Sequence, residues 1–335
     1  MDRLAAQSDQ QKIWPGAVAV SGGGDSLALM HLLAAWARKT RRVRPVVLSV
    51  DHALRKSSAR EARQVAAWAR KAGLKAEVLT VKGPVPKSDI EARAREARFS
   101  LMGAWMAKHK IATLYVGHTE DDQAETFLLR LARGSGLDGL SAMRMLTPFP
   151  LRGLEDRLVA RPLLGLGRQA LRDYLETRGQ DWLEDPMNSE ARFARSRIRE
   201  AAGLLAEAGL STARIADAAA HLARAREALE QVTDAVLARA CKPADGGLLL
   251  DPLALAAAPR EIGLRAMATL LMGVGGQAYR PRFEALERLF DKVAGGRLGH
   301  GATLHGCRLG PAPRRFQAFG PQTLVLARES SRKTR

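Results

Sequence analysis

Residues 18–30 read VAVSGGGDSLALM: three apolar residues, Ser21, three glycines, Asp25, Ser26 and then residues at helical spacing. A chain that leaves a strand through glycines and enters a helix gathers unpaired N–H groups and the positive end of the helix dipole at one point, which predicts an anion cradle. Ser21 and Ser26 add hydroxyls on either side of Gly22, Gly23, Gly24 and Asp25. No Gly-Lys-Ser or Gly-Lys-Thr occurs in the chain, so the lysine of a Walker A loop is missing. Residues 134–139, GSGLDG, do spell G-x-G-x-x-G, yet they follow the helical AETFLLRLARG and not a strand. They predict a helix end and a turn in place of a dinucleotide site.

Around the cradle, short apolar runs alternate with longer segments of helical period. Residues 17–20, 46–50, 76–81 and 113–117 predict strands. Residues 26–38, 58–72, 88–109 and about 121–132 predict helices, the first three each with a serine near its start. Repeated strand–helix units predict an α/β fold with a doubly wound, mainly parallel sheet. Ligands of such sheets sit beyond the carboxyl ends of the strands. That rule collects 21–26, 51–55 and 118–123 on one edge, bringing Asp51, His52, His118, Asp121 and Asp122 toward the cradle.

The chain has 335 residues, 46% of them apolar, which predicts more than one core. Against 35 acidic residues stand 53 Lys and Arg, a formal charge of +18, the balance of a polyanion's partner. From 292 to 328 there is no acidic residue at all. No apolar run approaches the roughly 20 residues that span a bilayer, and the N-terminus lacks a signal peptide's apolar core. Together these predict a cytoplasmic protein with no membrane partner. Cys241 and Cys307 stand far apart without C-x-x-C, which argues against a disulfide scaffold, a cysteine-bound zinc or an iron–sulfur cluster.

S-G-G-G-D-S at 21–26, closing a first strand, resembles the modified phosphate loop of the N-type ATP pyrophosphatases, the PP-loop superfamily with its adenine nucleotide alpha-hydrolase-like fold. Members cleave ATP between the α and β phosphates and activate an oxygen by adenylation. VDHALR (50–55), SAREA (58–62), EARAREARF (91–99), GHTEDDQAETFLLRLARGSGLDGLSAM (117–143), RPLL (161–164) and DWLEDPMNSEARFARSRIR (181–199) follow in the order and spacing of the tRNA(Ile)-lysidine synthetases. The resemblance is strongest over about residues 15–240. It implies that ATP adenylates O2 of the wobble cytidine in an isoleucine tRNA with a CAU anticodon. The side-chain amine of free L-lysine then displaces AMP, changing codon specificity from AUG to AUA. The family often has His-His where this chain has His118-Thr119, Gly where it has Ala53, and Arg-Asn where it has Arg195-Ser196.

Displacement at an α phosphate needs charge neutralisation more than covalent help. Under the resemblance Asp25, with Asp121 or Asp122, would hold Mg2+ through hard oxygen ligands. Carboxylates at helix starts are favourable without any metal, which is the plainer reading of Asp25 and Asp121. The loop 21–26 with Asp51 and His52 would hold ATP, and His118 would move a proton or orient a carboxylate. Asp122 with Glu125 would bind the lysine ammonium and then take its proton, with Arg93 of the Arg93, Arg95 and Arg98 cluster at the lysine carboxylate. Among Arg192, Arg195, Arg197 and Arg199, Arg195 is assigned to the catalytic group and Arg199 to the tRNA.

Ile215, Ala218, Leu222, Ala225, Leu229, Val232 and Val236 recur at three-and-four spacing. They predict a long connecting helix over 206–242 between a catalytic domain (1–205) and a small α+β domain (243–330), with a disordered tail at 331–335. In the small domain, helices are predicted at 260–272 and 281–293 and strands near 302–309 and 323–327. Arg282, Arg297, Arg308, Arg314 and Arg315 are candidates to grip tRNA phosphates; a dimerising or stabilising domain is the alternative. A PP-loop tRNA thiolase or another adenylating tRNA-modification enzyme is the nearest competing reading, against which the lack of paired cysteines counts. An amidating enzyme such as NAD synthetase needs no basic surface, and an RNA-binding protein with a degenerate loop would not need the intact S-G-G-G-D-S and D-D-Q. The sequence implies no stable protein partner and leaves a homodimer open.

Overall fold

The computed structural model describes residues 13–53, 57–83, 90–184, 194–277 and 279–329; Arg192 and the tail 331–335 lie outside the described residues. β1 (Gly16–Ala19) is built of small and β-branched residues. Gly16 lets the Tyr115 ring lie against the backbone, where a Cβ would collide with it. The chain turns through 20–23 into α1 (Gly24–Lys39), which buries Leu27, Leu29, Met30 and Leu33. β2 (Val46–Asp51), α2 (Ser58–Lys71), β3 (Ala76–Thr80), α3 (Ile90–Lys108), β4 (Thr113–Tyr115) and α4 (Glu120–Leu131) repeat the unit, within two residues of the expected boundaries. After α4, Gly134 takes φ +72°, where an L side chain would be strained. A single helical turn follows, α5 (Leu137–Leu140), so the 134–139 stretch is a helix end and a turn. β5 (Leu146–Pro148), β6 (Leu158–Ala160) and α6 (Arg168–Glu176) complete this part of the chain.

The sheet runs β3-β2-β1-β4-β6-β5, parallel except for β5, which pairs antiparallel with β6. β1 lies between β2 and β4, so the strand order reverses beside it and opens a crevice at the carboxyl ends of β1 and β4. Alternation along β1 supplies both faces of the sheet. Val18 packs with Leu27, Leu29, Met30, Leu33, Val65, Leu171 and Leu175, from α1, α2 and α6. Ala17 packs on the other side with Phe99, Met102 and Met106 of α3. Each fully buried side chain of this size contributes about 1.5–3 kcal/mol.

Residues 1–223 and 224–335 form separate units, and the boundary falls inside a long helix. Before it come α7 (Ala194–Glu200) and α8 (Ala202–Glu207). The long helix, α9 (Thr212–Ala240), starts later than position 206, because Gly209 at φ +83° ends the preceding helix. The second unit is α+β. β7 (Cys241–Ala244) and β8 (Gly247–Leu250) form a hairpin, followed by α10 (Pro252–Ala256), α11 (Arg260–Gly275) and α12 (Phe283–Ala294). β9 (Ala302–Leu304) and β10 (Cys307–Pro311) turn through His305 and Gly306, both at positive φ as a two-residue hairpin of this type requires. With β11 (Leu324–Arg328) they make an antiparallel sheet in the order β7-β8-β11-β10-β9. Cys241 and Cys307 are free thiols in it. Among the described residues no helix is long and apolar enough to cross a membrane.

Candidate active site

The cradle is pinned from three directions. Gly22 takes φ +98°, and a Cβ there would stand 2.6 Å from Leu183 Cδ1 and 3.1 Å from Val65 Cγ2. Its carbonyl accepts from the Leu183 N–H at 2.8 Å, so residues 182–183 lie along the loop. At the third side is Gly117, just past β4, where a Cβ would stand 3.0 Å from the backbone of Asp25 and Ser26. Inside the loop, the Ser21 N–H donates to Ser26 Oγ at 3.2 Å and the Ser26 hydroxyl to the Gly23 carbonyl at 2.9 Å. The first-turn N–H groups of α1 have no intrahelical acceptor and converge at this point.

Past β4, Thr119 caps α4. The Asp122 N–H donates to Thr119 Oγ1 at 3.4 Å, and Asp122 Oδ2 accepts from the Thr119 N–H at 2.8 Å and its hydroxyl at 3.1 Å. This reciprocal capping box explains one departure from the family pattern: threonine is a strong N-cap, and here it fixes the Asp122 carboxylate. The second departure has no such compensation: Ala53 takes φ +53°, a conformation that favours the family's usual glycine. Asp122 and Glu125 are buried, at 8% and 6% exposure, although both carry charge. They therefore need partners.

The partner is Arg168, which the sequence did not single out. Its Nε lies 3.3 Å from Asp25 Oδ2, and its Nη2 lies 3.7 Å from Asp122 Oδ1 and 3.5 Å from Glu125 Oε1. Its backbone N–H donates to Asp121 Oδ2 at 2.7 Å. Burial works against its charge, but Asp25, Glu125, Asp121 and Asp122 outweigh that and raise its pKa. An arginine opening a helix sits against the dipole, and that local mismatch was the available signal of acidic neighbours elsewhere. Arg199 makes a bidentate pair with Glu125, at 2.6 Å and 3.2 Å, so its guanidinium faces the acidic group.

Burial pushes the Asp25 carboxyl above the usual range, Arg168 opposes this, and Asp122 and Asp121 add to it. Asp25 Oδ1 is buried without a hydrogen-bond partner. His118 Nδ1 is likewise buried and unpartnered. Desolvation lowers the His118 pKa to about 4, against the attraction of Asp122 and with help from Arg161, Arg95 and Arg195. His118 is therefore neutral at physiological pH. Arg95 and Arg98 are both lowered, first by desolvation; Arg195 acts next on Arg95, and Arg95 on Arg98. Arg95 as a whole residue stays exposed, so the crowding is local to its guanidinium.

Ser21, Gly22, Gly23, Gly24, Asp25, Ser26, His118, Asp121, Asp122 and Glu125 thus share the crevice edge. Asp51 ends β2, and its Oδ1 accepts from the Ala53 N–H at 2.9 Å and from the Ser58 hydroxyl, so this oxygen organises the following turn. His52 is half-buried beside it. Arg93 is exposed, and no ion pair joins it to Asp122 or Glu125. It lies about 200° around the helix from Arg95. Arg195 is exposed at the start of α7. In the second unit Arg282, Arg297, Arg308, Arg314 and Arg315 are all exposed.

The PP-loop domain family matches residues 1–204. A tRNA(Ile)-lysidine synthase of Ruegeria pomeroyi is 39% identical over 318 residues, covering 92% of this chain and 74% of the relative. Its counterpart in Methylobacterium nodulans is 39% identical over 314 residues, covering 89% of this chain and 90% of the relative. One from Wolbachia pipientis wMel is 34% identical over 318 residues, covering 94% and 71%. Among solved structures, the U34-tRNA thiolase NcsA from Methanococcus maripaludis with its 4Fe-4S cluster matches with a TM-score of 0.50. It covers 62% of this chain and 71% of that one at 15% identity, which shows a shared fold.

Proposed function

The chain belongs to the tRNA(Ile)-lysidine synthase family, and from that premise we propose that it is a ligase forming a carbon–nitrogen bond, joining free L-lysine to the wobble cytidine of an isoleucine tRNA with a CAU anticodon. ATP lies with its phosphates on the loop 21–26, where the N–H groups at the start of α1 and the Ser21 and Ser26 hydroxyls face it. The cytidine O2 attacks the α phosphate and pyrophosphate leaves; the lysine amine then attacks C2, the C2–O2 bond breaks, and AMP departs with that oxygen. This changes the codon read from AUG to AUA.

Asp25 and Asp121 fit Mg2+, which is held through one or two carboxylates, water and substrate phosphates. The orphaned, buried Oδ1 of Asp25 supports that fit. The ion would neutralise phosphate charge as pyrophosphate leaves. Asp122 and Glu125 hold the lysine ammonium between their carboxylates, and one of them takes the proton that frees the amine. Thr119 orients the Asp122 carboxylate, and neutral His118, near it, is too weak a base to keep the proton. Arg195 and Arg95, set at the same crevice, balance charge at the reacting phosphate. Arg282, Arg308, Arg314 and Arg315 meet tRNA phosphates. The tRNA and free lysine meet in the cytoplasm, where this reading places the enzyme, with no protein partner required.

The observation that supports this reading most directly is the meeting of Asp25, Asp122 and Glu125 around the Arg168 guanidinium beside the loop, with Asp121 on the backbone N–H of the same residue. The test is incorporation of labelled lysine into a CAU-anticodon transcript with ATP and Mg2+, beside a transcript with U at the wobble position. Incorporation only into the C-bearing transcript, with AMP released and with both lost in Asp25→Asn, is expected. AMP formation with a different acceptor would overturn the substrate, and no AMP would overturn the chemistry.

A further inference from the structure

Where the lysine ammonium is read to bind, the chain already places a cation of its own. Arg168 reaches Asp122 Oδ1 at 3.7 Å and Glu125 Oε1 at 3.5 Å while its Nε stays 3.3 Å from Asp25 Oδ2. We propose that Arg168 is a positioning residue that stands in for the lysine ammonium, holding Asp122 and Glu125 until the substrate amine displaces its guanidinium toward the phosphates on the loop 21–26. The inference rests on the assignment of Asp122 and Glu125 to lysine and adds a device that couples lysine binding to nucleotide binding.

The distances separate a firm hold from a loose one. A charge-assisted N–H···O contact closes to about 2.7–2.9 Å. Arg199 on Glu125, at 2.6 Å, is at least that close, and so is the Arg168 backbone N–H on Asp121, at 2.7 Å. The Arg168 side chain on Asp122 and Glu125 falls short of it at both carboxylates. One planar fork spans three carboxylates and fits none closely, whereas an ammonium is a compact charge with three donors. The incoming amine therefore makes the better fit to Asp122 and Glu125. The backbone anchor at the start of α6 keeps the displaced side chain near Asp25, the first residue after the glycines. A guanidinium driven there meets the phosphates of bound ATP, so each substrate favours the other, and by linkage the effect is reciprocal.

Lysine binding to the full-length protein, measured by calorimetry with and without a non-hydrolysable ATP analogue, tests this. In the wild type the analogue tightens lysine binding by about tenfold, a typical coupling between two sites. Arg168→Gln binds lysine about tenfold more tightly than wild type without nucleotide, because the internal competitor is gone, and the analogue then adds nothing. A merely structural Arg168 would give the opposite sign, weaker lysine binding. Arg168→Met keeps an unbranched stem but carries no cation, and it carries the test if Arg168→Gln does not fold: it too binds lysine about tenfold more tightly than wild type without nucleotide. Equal or weaker lysine binding by the folded variants overturns the proposal alone. Failure of the wild type to bind lysine at all overturns the lysine site and this inference with it.

Discussion

His118→Gln should flatten the acid side of the stability profile. The wild-type ring has its pKa lowered from the usual 6.5 to about 4, mainly by desolvation. Between those values the folded protein binds fewer protons at this site than the unfolded chain, so stability falls as pH falls through that window. For a shift of this size the loss between about pH 8 and about pH 5 approaches 2 kcal/mol, at about 1.4 kcal/mol per pH unit. Solvent at the partly exposed ring trims this, so about 1–2 kcal/mol is expected. The assay is denaturant unfolding of both proteins at the two pH values, comparing the change with pH and not the absolute stabilities. Every other titrating group then cancels to first order. Wild type should lose about 1–2 kcal/mol more than His118→Gln. Equal losses would mean that His118 is not held neutral by burial, and it would no longer be too weak a base to keep the lysine proton.

Gly117→Ala places a Cβ 3.0 Å from the backbone of Asp25 and Ser26, where no flexible side chain can yield. It should cost about 1–3 kcal/mol of stability by overpacking and cut AMP formation at least tenfold; wild-type turnover would refute the contact. Ala53→Gly relieves the left-handed strain of about 1 kcal/mol, partly offset by the freer unfolded chain, for a net gain near half a kcal/mol in denaturant unfolding. A loss of that size would contradict the backbone assigned to position 53. Replacing Arg314 and Arg315 together by Ala should reduce the slope of log Kd for tRNA against log salt by about two while leaving lysine binding unchanged. An unchanged slope would move the tRNA contact away from these residues.

The strand–loop–helix units were legible because each carries its own period and its own punctuation. The glycines of 22–24 and the apolar runs of β1, β2 and β4 state local structure without help from distant residues. β5 and β6, at three residues each, hold too few positions to show a period and exist because β4 offers an edge to β6 and β6 offers one to β5. The acidic group was legible as D-D-Q and Glu125, but its cation was not. Arg168 is one arginine in a chain rich in them, and only the folded packing of α6 against α1 brings it to Asp25 and Asp122. For Arg199 too, the spacing of 192–199 gives charge density, not direction, and its pair with Glu125 is visible only in the fold. Arg93 and Arg95 differ by two residues, and on a helix two residues turn the side chain to the other side. Sequence spacing alone marks the cluster, not which arginine faces the crevice.

The tethering of the loop by Leu183, Val65 and Gly117 has a kinetic consequence. A phosphate-binding backbone that is already fixed before its ligand arrives has surrendered its conformational entropy during folding, so little ordering remains to be done at encounter. Nucleotide association should then approach the ordinary rate for a preformed site, with differences in affinity among loop variants expressed in the lifetime of the complex. Substitutions at Leu183, more than 150 residues along the chain from Gly22, would thus be felt as nucleotides that leave too soon.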